Sequence, residues 1–451
     1  MKKSVLAAIT IIVIISIIWL LAGCNNPTGG GGNAPGGSSG LSIEWAKCYG
    51  GGSYEAAYDL IQTADGGDIV VGLSWSSMEG DVGTSHGGGD CWLIKLNANA
   101  SLEWQNCLGG SKSESIKSIC EAQGGGYIIA GSTNSNNGDI SGNHSSDDDI
   151  WVAKISSNGT LESQKCYGGT GLEWINSMIP MSGGGYVLAG YTTSNNGDVG
   201  GLHGGSSAAD AWIVKLDSTA TNIVWQKSLG GTNEERAQGI QQTSDGGYIV
   251  AGATYSNDGD VSGMKGLCDA WIVKLNSSGT LEWQKCYGGT NADYAEDIQQ
   301  TSDGGYIVAG ATYSNDGDVS GNYGFYDGWL IKLSSSGTLE WQSRLGGSGW
   351  DFFYSVRQTS DGGYLLTGST DSTDHDVKDN HGGYDIWIVK INSSGALEWQ
   401  KCIGGSGDDV ARKIKNMPDG SYLAVGSTYT NNDGDVSGYH GSGDFYVVKL
   451  K

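Results

Sequence analysis

Proline and basic residues are scarce in this 451-residue chain. Only 4 prolines accompany 78 glycines, and the glycines recur at fixed places between apolar runs. This composition indicates many tight turns and not a structureless tract. Lysine and arginine number 25 against 49 acidic residues, for a net charge of −24. Such a surface repels a phosphate backbone, so nucleic acid is excluded as a partner, while cations, glycans and other proteins stay candidates.

Sustained helical periodicity is also missing after residue 41, and a repeat takes its place. The stretch from Leu281 to Thr338 returns along nearly the whole chain, at steps of 59, 59, 62, 58, 58 and 58 residues. A fixed period of this length is typical of propellers and solenoids, whose copies share one core. The landmark tryptophan of the repeat is replaced once, by Ser163, and otherwise stands at Trp45, Trp104, Trp225, Trp283, Trp341 and Trp399.

Each copy contains four short strand patterns separated by turn signals. In the Leu281 copy the predicted strands are residues 295–301, 306–312, 328–333 and 338–343. The second and third are apolar on both faces, which a sheet with one solvated face does not tolerate. The sequence therefore predicts an all-β fold of four-stranded antiparallel sheets packed face to face in a ring, which is a β-propeller.

The two ends of the repeat region predict how the ring closes. The chain enters on a fourth-strand phrase at Ile43–Tyr49 and leaves on a third-strand phrase at Asp444–Leu450. The entering strand supplies what the last blade lacks, and pairing them removes an exposed sheet edge. We therefore expect a single seven-bladed propeller over residues 41–451, with the N-terminal strand in the last blade.

The recurring phrases DGGYIVAG, NDGDVSG and DAWIVKL, over residues 41–451, resemble the repeat of secreted surface β-propeller proteins of bacteria and archaea. The resemblance implies the propeller fold and an extracytoplasmic location. It implies little about activity, because that group has no shared chemistry.

The N-terminus has the pattern of an export signal. Lys2 and Lys3 precede an apolar run that ends in Leu21-Ala22-Gly23-Cys24. This ending resembles the lipobox of bacterial lipoproteins, which implies a signal peptide over residues 1–23 and lipidation of Cys24. The alternative is a transmembrane anchor, since the run is almost long enough to span a bilayer. Residues 24–40 read as the lipidated cysteine and a flexible tether, so we expect an exported chain held to a bacterial membrane or cell surface by the lipid anchor alone.

The remaining eight cysteines do not form a disulfide framework. Five share one repeat position, where Ser228 and Arg344 also occur. One pair is a candidate disulfide, because Cys91 and Cys107 face each other across two antiparallel strands if the hairpin turn is residues 97–101.

The acidic loop between the second and third strands has the spacing of an EF-hand-like calcium loop. Oxygen side chains fall at loop positions 1, 3, 5 and 12, with glycine at position 6 permitting the sharp turn. The alternative is that Asp, Asn and Gly are what a tight connection uses, with the last Asp capping backbone amides. The candidate calcium ligands are Asp258, Asp260, Ser262, Asp269, Asp316, Asp318, Ser320, Asp327, Asp433, Asp435, Ser437 and Asp444.

A second acidic series follows the Gly-Gly corner between blades, and it would form a circle near the channel mouth. The alternative is structural, with each carboxylate accepting bonds from the amides of its turn. Trp174 and Trp350 adjoin this corner outside the repeat's tryptophan positions, where they would stack on a sugar ring or anchor a protein. The candidate ligand-binding residues are thus Glu55, Glu114, Glu173, Glu235, Asp293, Asp351, Asp409, Trp174 and Trp350.

Five histidines also share one loop position, but stacked sheets stand too far apart for two of these imidazoles to share a zinc ion. They are His86, His144, His203, His381 and His440.

No nucleophile elbow, zinc signature or phosphate loop is present, so the sequence identifies no catalytic residue. The favoured hypothesis is a tethered binding or scaffolding module for a glycan or protein, with calcium ordering its loops. The alternatives are a polysaccharide-active enzyme with paired carboxylates and a purely structural surface component. A single carboxylate with a raised pKa in a single-copy cleft would favour the enzyme.

Overall fold

The chain forms a seven-bladed β-propeller. The computed structural model describes residues 41–205 and 208–451, and these residues contain 28 strands in seven four-stranded antiparallel sheets. The predicted fold class and blade number are confirmed.

The strands of each blade run outward from the axis in chain order. The innermost strands are β2 (Glu55–Gln62), β6 (Glu114–Glu121), β10 (Glu173–Pro180), β14 (Glu235–Gln242), β18 (Asp293–Gln300), β22 (Asp351–Gln358) and β26 (Asp409–Asn416). The second strands are β3 (Asp68–Ser74), β7 (Tyr127–Thr133), β11 (Tyr186–Thr192), β15 (Tyr248–Thr254), β19 (Tyr306–Thr312), β23 (Tyr364–Thr370) and β27 (Tyr422–Thr428). The third strands are β4 (Asp90–Leu96), β8 (Asp149–Ile155), β12 (Asp210–Leu216), β16 (Asp269–Leu275), β20 (Asp327–Leu333), β24 (Asp385–Ile391) and β28 (Asp444–Leu450). The outer strands are β5 (Leu102–Leu108), β9 (Leu161–Tyr167), β13 (Ile223–Leu229), β17 (Leu281–Tyr287), β21 (Leu339–Leu345), β25 (Leu397–Ile403) and, for the last blade, β1 (Ile43–Tyr49).

Ring closure follows the prediction, because β1 pairs with β28 and the last sheet has the order β1-β28-β27-β26. Ala46 lies opposite Val448, and Cys48 lies opposite Tyr446. The Ser42 amide donates to the Lys451 carbonyl (2.8 Å), and the Lys451 amide donates back to the Ser42 carbonyl (3.0 Å). The two ends of the propeller are therefore hydrogen-bonded to each other.

The core lies between neighbouring sheets. In one cluster, Ile249 and Ile272 of the fourth blade pack with Val308 and Trp329 of the fifth. This is why the second and third strands are apolar on both faces. The third-strand tryptophans are fully buried, and Trp271 satisfies its indole N–H by donating to Gln284 on the adjacent outer strand (2.8 Å).

The predicted Cys91–Cys107 disulfide is wrong. Cys91 pairs with Leu108 and Cys107 with Trp92, and both thiols are free and buried. The turn itself lies where predicted, since the Asn97 amide donates to the Ser101 carbonyl. A bulge at Glu103, however, shifts the register by one residue, and a shift of one residue places the two cysteines on opposite faces of the sheet.

The predicted signal peptide, the lipidation of Cys24 and the tether over residues 24–40 lie outside the described residues. Within the part of the chain that is described, no helix is long and apolar enough to cross a membrane.

Candidate functional site: the channel and its aromatic rim

Every innermost strand contains a β-bulge at the same position. In the first blade Ala57 pairs with Gly72 and Asp59 with Val71, so Tyr58 has no partner on β3. The partner of the bulge is always a glycine, because a Cβ there would come within 1.7–1.9 Å of a backbone carbonyl oxygen of the inner strand. These glycines are Gly72, Gly131, Gly190, Gly252, Gly310, Gly368 and Gly426.

The seven bulge residues line the central channel. Successive innermost strands contact one another around the axis, and each bulge side chain is half-buried, in five of the seven blades between two buried neighbours. Their identities differ from blade to blade, so the channel wall does not repeat where the rest of the propeller does. In blade order they are Tyr58, Lys117, Asn176, Gln238, Glu296, Tyr354 and Arg412.

Cations and aromatic rings alternate along one side of this wall. The Lys117 ammonium lies 3.4 Å from the centroid of the Tyr58 ring and 5.5 Å from that of Trp174. The Arg412 guanidinium lies 4.6 Å from the centroid of the Tyr354 ring. Such contacts are attractive, because the ring face carries partial negative charge. Trp174, a predicted ligand-binding residue, thus lies beside the channel cations.

The charges of the channel shift one another's pKa values. Burial lowers the pKa of the Lys117 amine. Burial alone would raise the pKa of Tyr58, but Lys117 and Arg412 bring it below its usual value. Burial raises the pKa of Glu296 to about 7, against the opposing pull of Arg412 and Arg236. Glu296 is thus a single-copy carboxyl poised near neutrality.

An aromatic cluster extends from the channel to the surface at the fifth and sixth blades. We call it the aromatic platform, and it consists of Tyr294, Tyr313, Phe325, Tyr326, Trp350 and Phe352. Phe325 stacks on Trp350 with centroids 5.4 Å apart, and Phe352 stacks on Tyr354 of the channel at 6.0 Å. Phe325 is 49% exposed and Tyr313 is 40% exposed. The predicted Trp350 is therefore the half-buried centre of a larger surface.

The predicted acidic ring is buried in the inter-blade turns, at the start of the innermost strands. Glu55 is fully buried, accepts from the Gly51 amide (2.7 Å) and accepts from the Ser74 hydroxyl (2.7 Å). The equivalent amide bond recurs in all seven blades at 2.7–2.9 Å. The carboxylates that are buried and support these turns are Glu55, Glu114, Glu173, Glu235, Asp293, Asp351 and Asp409.

The predicted calcium loops use their carboxylates for contacts with protein groups. Asp258 accepts from the Thr232 amide (2.8 Å), and Asp269 accepts from the Lys265 amide (3.0 Å). Ser262 accepts from Gln284 (2.7 Å). In residues 41–205 and 208–451, no group of three or more His, Cys, Asp or Glu side chains is arranged to hold a metal ion. Calcium binding by these loops stays a prediction.

The histidine series forms bridges between blades. His203 Nδ1 lies 2.6 Å from Asp210 of its own blade, and its Nε2 lies 3.7 Å from Asp260 of the next. Burial would lower the pKa of His203, but Asp210 and Asp260 raise it above the usual value. In the fourth blade Lys265 takes this position and pairs with Asp318 of the fifth. The third position of the predicted calcium loop is thus part of an inter-blade contact.

Buried acids predict that the propeller is more stable at pH 5 than at pH 8. Burial raises the pKa of Asp68 to about 6 and that of Asp351 to about 7. A raised pKa means that the folded chain binds more protons than the unfolded chain in this range, so stability falls as pH rises through 6 to 7. We expect Tm by calorimetry to be higher by at least about 5 °C at pH 5 than at pH 8.

Two neighbouring acids of the β2–β3 hairpin provide the control. Asp68 is buried and its Oδ1 has no hydrogen-bond partner, so Asp68→Asn should raise Tm at pH 8 and flatten the profile. Hydrogen bonds from Thr63, Gly67 and Lys95 lower the pKa of Asp65 to about 2, so Asp65→Asn should leave the slope between pH 5 and 8 unchanged. A Tm that rises from pH 5 to pH 8 would contradict this account.

The hydrophobic pattern of the repeat does not single out the bulge residues. One signal was available: the fourth residue of the innermost strand takes six different identities in seven copies, whereas the first is always Glu or Asp. A side chain that faces the channel can differ from blade to blade, whereas a buried carboxylate that holds a turn is needed in every blade.

Comparison with known proteins assigns the chain to no family. No family model matches the chain. A segment of 175 residues is 27% identical to the regulatory protein FlaEY of Caulobacter vibrioides, covering 36% of this chain and 18% of that protein's length. Among solved structures, Sqt1 from Chaetomium thermophilum covers 91% of this chain and 99% of its own, at 11% identity and a TM-score of 0.47. A Dyadobacter fermentans protein of unknown function covers 92% and 100%, at 10% identity and a TM-score of 0.43.

Proposed function

We propose that the chain is an exported, membrane-tethered propeller that binds a glycan on its aromatic platform. The observation that carries the proposal is the set of rings that stack around Trp350 and remain exposed at Phe325 and Tyr313. Exposed aromatic faces of this kind mark binding surfaces, and they fit the apolar faces of sugar rings.

The platform breaks the symmetry of the repeat, which is a property of a recognition site. In the fourth blade, Lys265, Gly266 and Leu267 stand in the loop where the fifth blade has Tyr323, Gly324 and Phe325. The platform is also continuous with the channel through the stacked Phe352 and Tyr354. A ligand on the platform would therefore reach the channel mouth.

The tether is part of the proposal and rests on the sequence. Positive charge at Lys2 and Lys3, an apolar run and a cysteine at position 24 support export and lipidation. Resemblance to secreted surface propellers supports the same location. A tethered binding module would hold its glycan or a glycan-bearing protein at the cell surface.

Binding of labelled glycans tests the proposal, with millimolar calcium and with chelator as two arms. The double variant Phe325→Ala, Tyr313→Ala should weaken binding about tenfold or more, because each lost stacking face removes apolar contact area. Val224→Ala is the matched control, since Val224 is 57% exposed on the outer strand β13, away from the platform. Loss of binding in chelator would support calcium as the ion that orders the loops.

Two results would contradict the proposal. One is the absence of any glycan ligand in both arms, and the other is equal binding by the platform variant and the control. Retention of a protein partner without glycan would favour the scaffolding alternative.

A glycoside hydrolase is the second candidate, because Glu296 has the raised pKa of a general acid in a single-copy channel. Its neighbour Asp297 has a lowered pKa, despite burial, through Lys413 and Arg357. That carboxylate is occupied, however, by Ser355 (3.1 Å), the Val356 amide (3.1 Å) and Arg357 (2.8 Å). Asp297 is therefore held between blades, and the enzyme ranks second. Release of reducing ends by the wild type but not by Glu296→Gln would reverse this order.

A further inference from the structure

Arginine side chains are concentrated around the channel. The chain contains only four arginines, and Arg236, Arg357 and Arg412 all lie on innermost strands. A chain of net charge −24 thus places most of its arginine around one axis. Steering an anion into a narrow passage is one use of such an arrangement.

Most of these cations are already neutralised. Arg357 pairs with Asp297 (2.8 Å), and Lys415 pairs with Asp59 (3.2 Å). Arg236 pairs with Glu234. These pairs join neighbouring blades or strand ends, and they account for the charge at their positions.

Lys117 and Arg412 differ from these paired cations in their contacts. Within the described ranges, 41–205 and 208–451, neither side chain forms an ion pair with a carboxylate, and the two cations lie over the rings of Tyr58 and Tyr354. Burying a cation without an ion-pair partner is costly, and the burial-lowered pKa of the Lys117 amine reflects that cost, whereas neighbouring tyrosines and Glu296 raise the pKa of Arg412 against the effect of burial. An anion bound between the two side chains would remove it.

The other bulge residues indicate which chemical groups the rest of a ligand would carry. The bulge residues of the third, fourth and fifth blades are Asn176, Gln238 and Glu296, which carry hydrogen-bonding groups. Asn176 already donates to the Ala237 carbonyl (2.9 Å), which fixes its amide and leaves its oxygen to accept. The faces of Tyr58, Tyr354 and Trp174 supply flat apolar surface. A ligand that matches all three features has a carboxylate, a ring and several hydroxyls.

We infer that the channel binds a sugar acid, a hexuronate or a compound of the same chemistry, with its carboxylate between Lys117 and Arg412 and its hydroxyls toward Asn176, Gln238 and Glu296. This site lies in the channel, and it does not require that the aromatic platform bind a glycan.

Isothermal titration of the purified full chain in detergent tests the site, with D-glucuronate, D-glucose and acetate as probes. D-Glucuronate should bind, D-glucose should bind at least about tenfold more weakly, and acetate should also be weaker. A tetrasaccharide ending in glucuronate distinguishes the two sources of this chemistry: tighter binding than the monosaccharide assigns the terminus of an acidic polysaccharide, and weaker binding assigns a free sugar acid.

Variants separate the site from general effects of charge. Lys117→Gln and Arg412→Gln should each weaken D-glucuronate binding about tenfold or more, because each removes a charged hydrogen-bond donor. Lys165→Gln is the matched control: Lys165 also lies over a tyrosine, at 4.9 Å from the Tyr167 ring centroid, but on the outer strand β9. Arg412→Lys keeps the charge and should retain part of the affinity, which guards against loss of binding through misfolding.

The inference is overturned if D-glucuronate does not bind the wild type, if D-glucose or acetate binds equally well, or if Lys165→Gln weakens binding as much as Lys117→Gln. The platform double variant Phe325→Ala, Tyr313→Ala should leave binding of monomeric D-glucuronate unchanged. Failure of the platform proposal and failure of the channel site therefore give different results.

Discussion

Deletion of residues 42–49 should abolish the cooperative thermal unfolding of the propeller. Residues 43–49 form β1, which is the outer strand of the last blade. Without them β28 becomes an exposed edge, and the buried Cys48 and Tyr49 no longer cover the sheets on either side. The lost ladder and apolar contacts approach the total stability of a domain, about 5–15 kcal/mol. Differential scanning calorimetry should show no sharp transition.

A deletion of equal length provides the control. Removing residues 29–36 should leave Tm unchanged, since the sequence predicts a flexible tether there. A synthetic peptide of residues 41–50 added to the chain lacking β1 should restore the transition, because it supplies the missing strand. An unchanged Tm after deletion of β1 would show that the ring does not depend on this closure.

This strand also shows what the sequence predicts well. The fourth-strand phrase at Ile43–Tyr49 and the third-strand phrase at Asp444–Leu450 stood at opposite ends, and the repeat phase alone predicted their pairing. In the Leu281 copy, the predicted strand 306–312 agrees with β19 residue for residue, and the others differ by one or two residues at their ends. A long, regular repeat makes these predictions reliable because every copy must satisfy the same packing.

Backbone irregularities explain what the sequence did not predict. The bulge at Glu103 moved Cys91 out of register with Cys107, and the bulges of the innermost strands turned one residue of each blade toward the channel. A bulge adds one residue to one strand without changing the hydrophobic pattern by much, so periodicity does not reveal it. Periodicity therefore does not show which residue of each innermost strand faces the channel.

Carboxylates that recur in every blade hold the turns and the contacts between blades. The seven carboxylates at the start of the innermost strands are invariant in charge because each holds the same Gly-Gly turn, as Glu55 holds Gly51. The loop carboxylates at Asp260 and Asp318 contact a residue of the preceding blade, His203 or Lys265. A site for one ligand needs one set of contacts, which a seven-fold repeat supplies only where its copies differ.

Gly252→Ala should destabilise the propeller by at least about 3 kcal/mol, and the sign of this change is informative. Gly252 pairs with Ala237, the residue before the bulge residue Gln238, and its added Cβ would come within 1.9 Å of the Arg236 carbonyl oxygen. Propensity alone predicts the opposite sign, because glycine within a strand costs about 0.5–1 kcal/mol relative to alanine. The free energy of unfolding from urea titration distinguishes the two.

Gly183→Ala is the matched control, because a Cβ at Gly183 meets no atom within 4 Å in its exposed turn. We expect its effect to stay within about 0.5 kcal/mol. The clash at Gly252 also predicts loss of the bulge, which would rotate Gln238 out of the channel and weaken D-glucuronate binding in any fraction that still folds. If Gly252→Ala were as stable as the wild type, the glycine would not be what permits the bulge. The channel wall would then depend on the innermost strand alone.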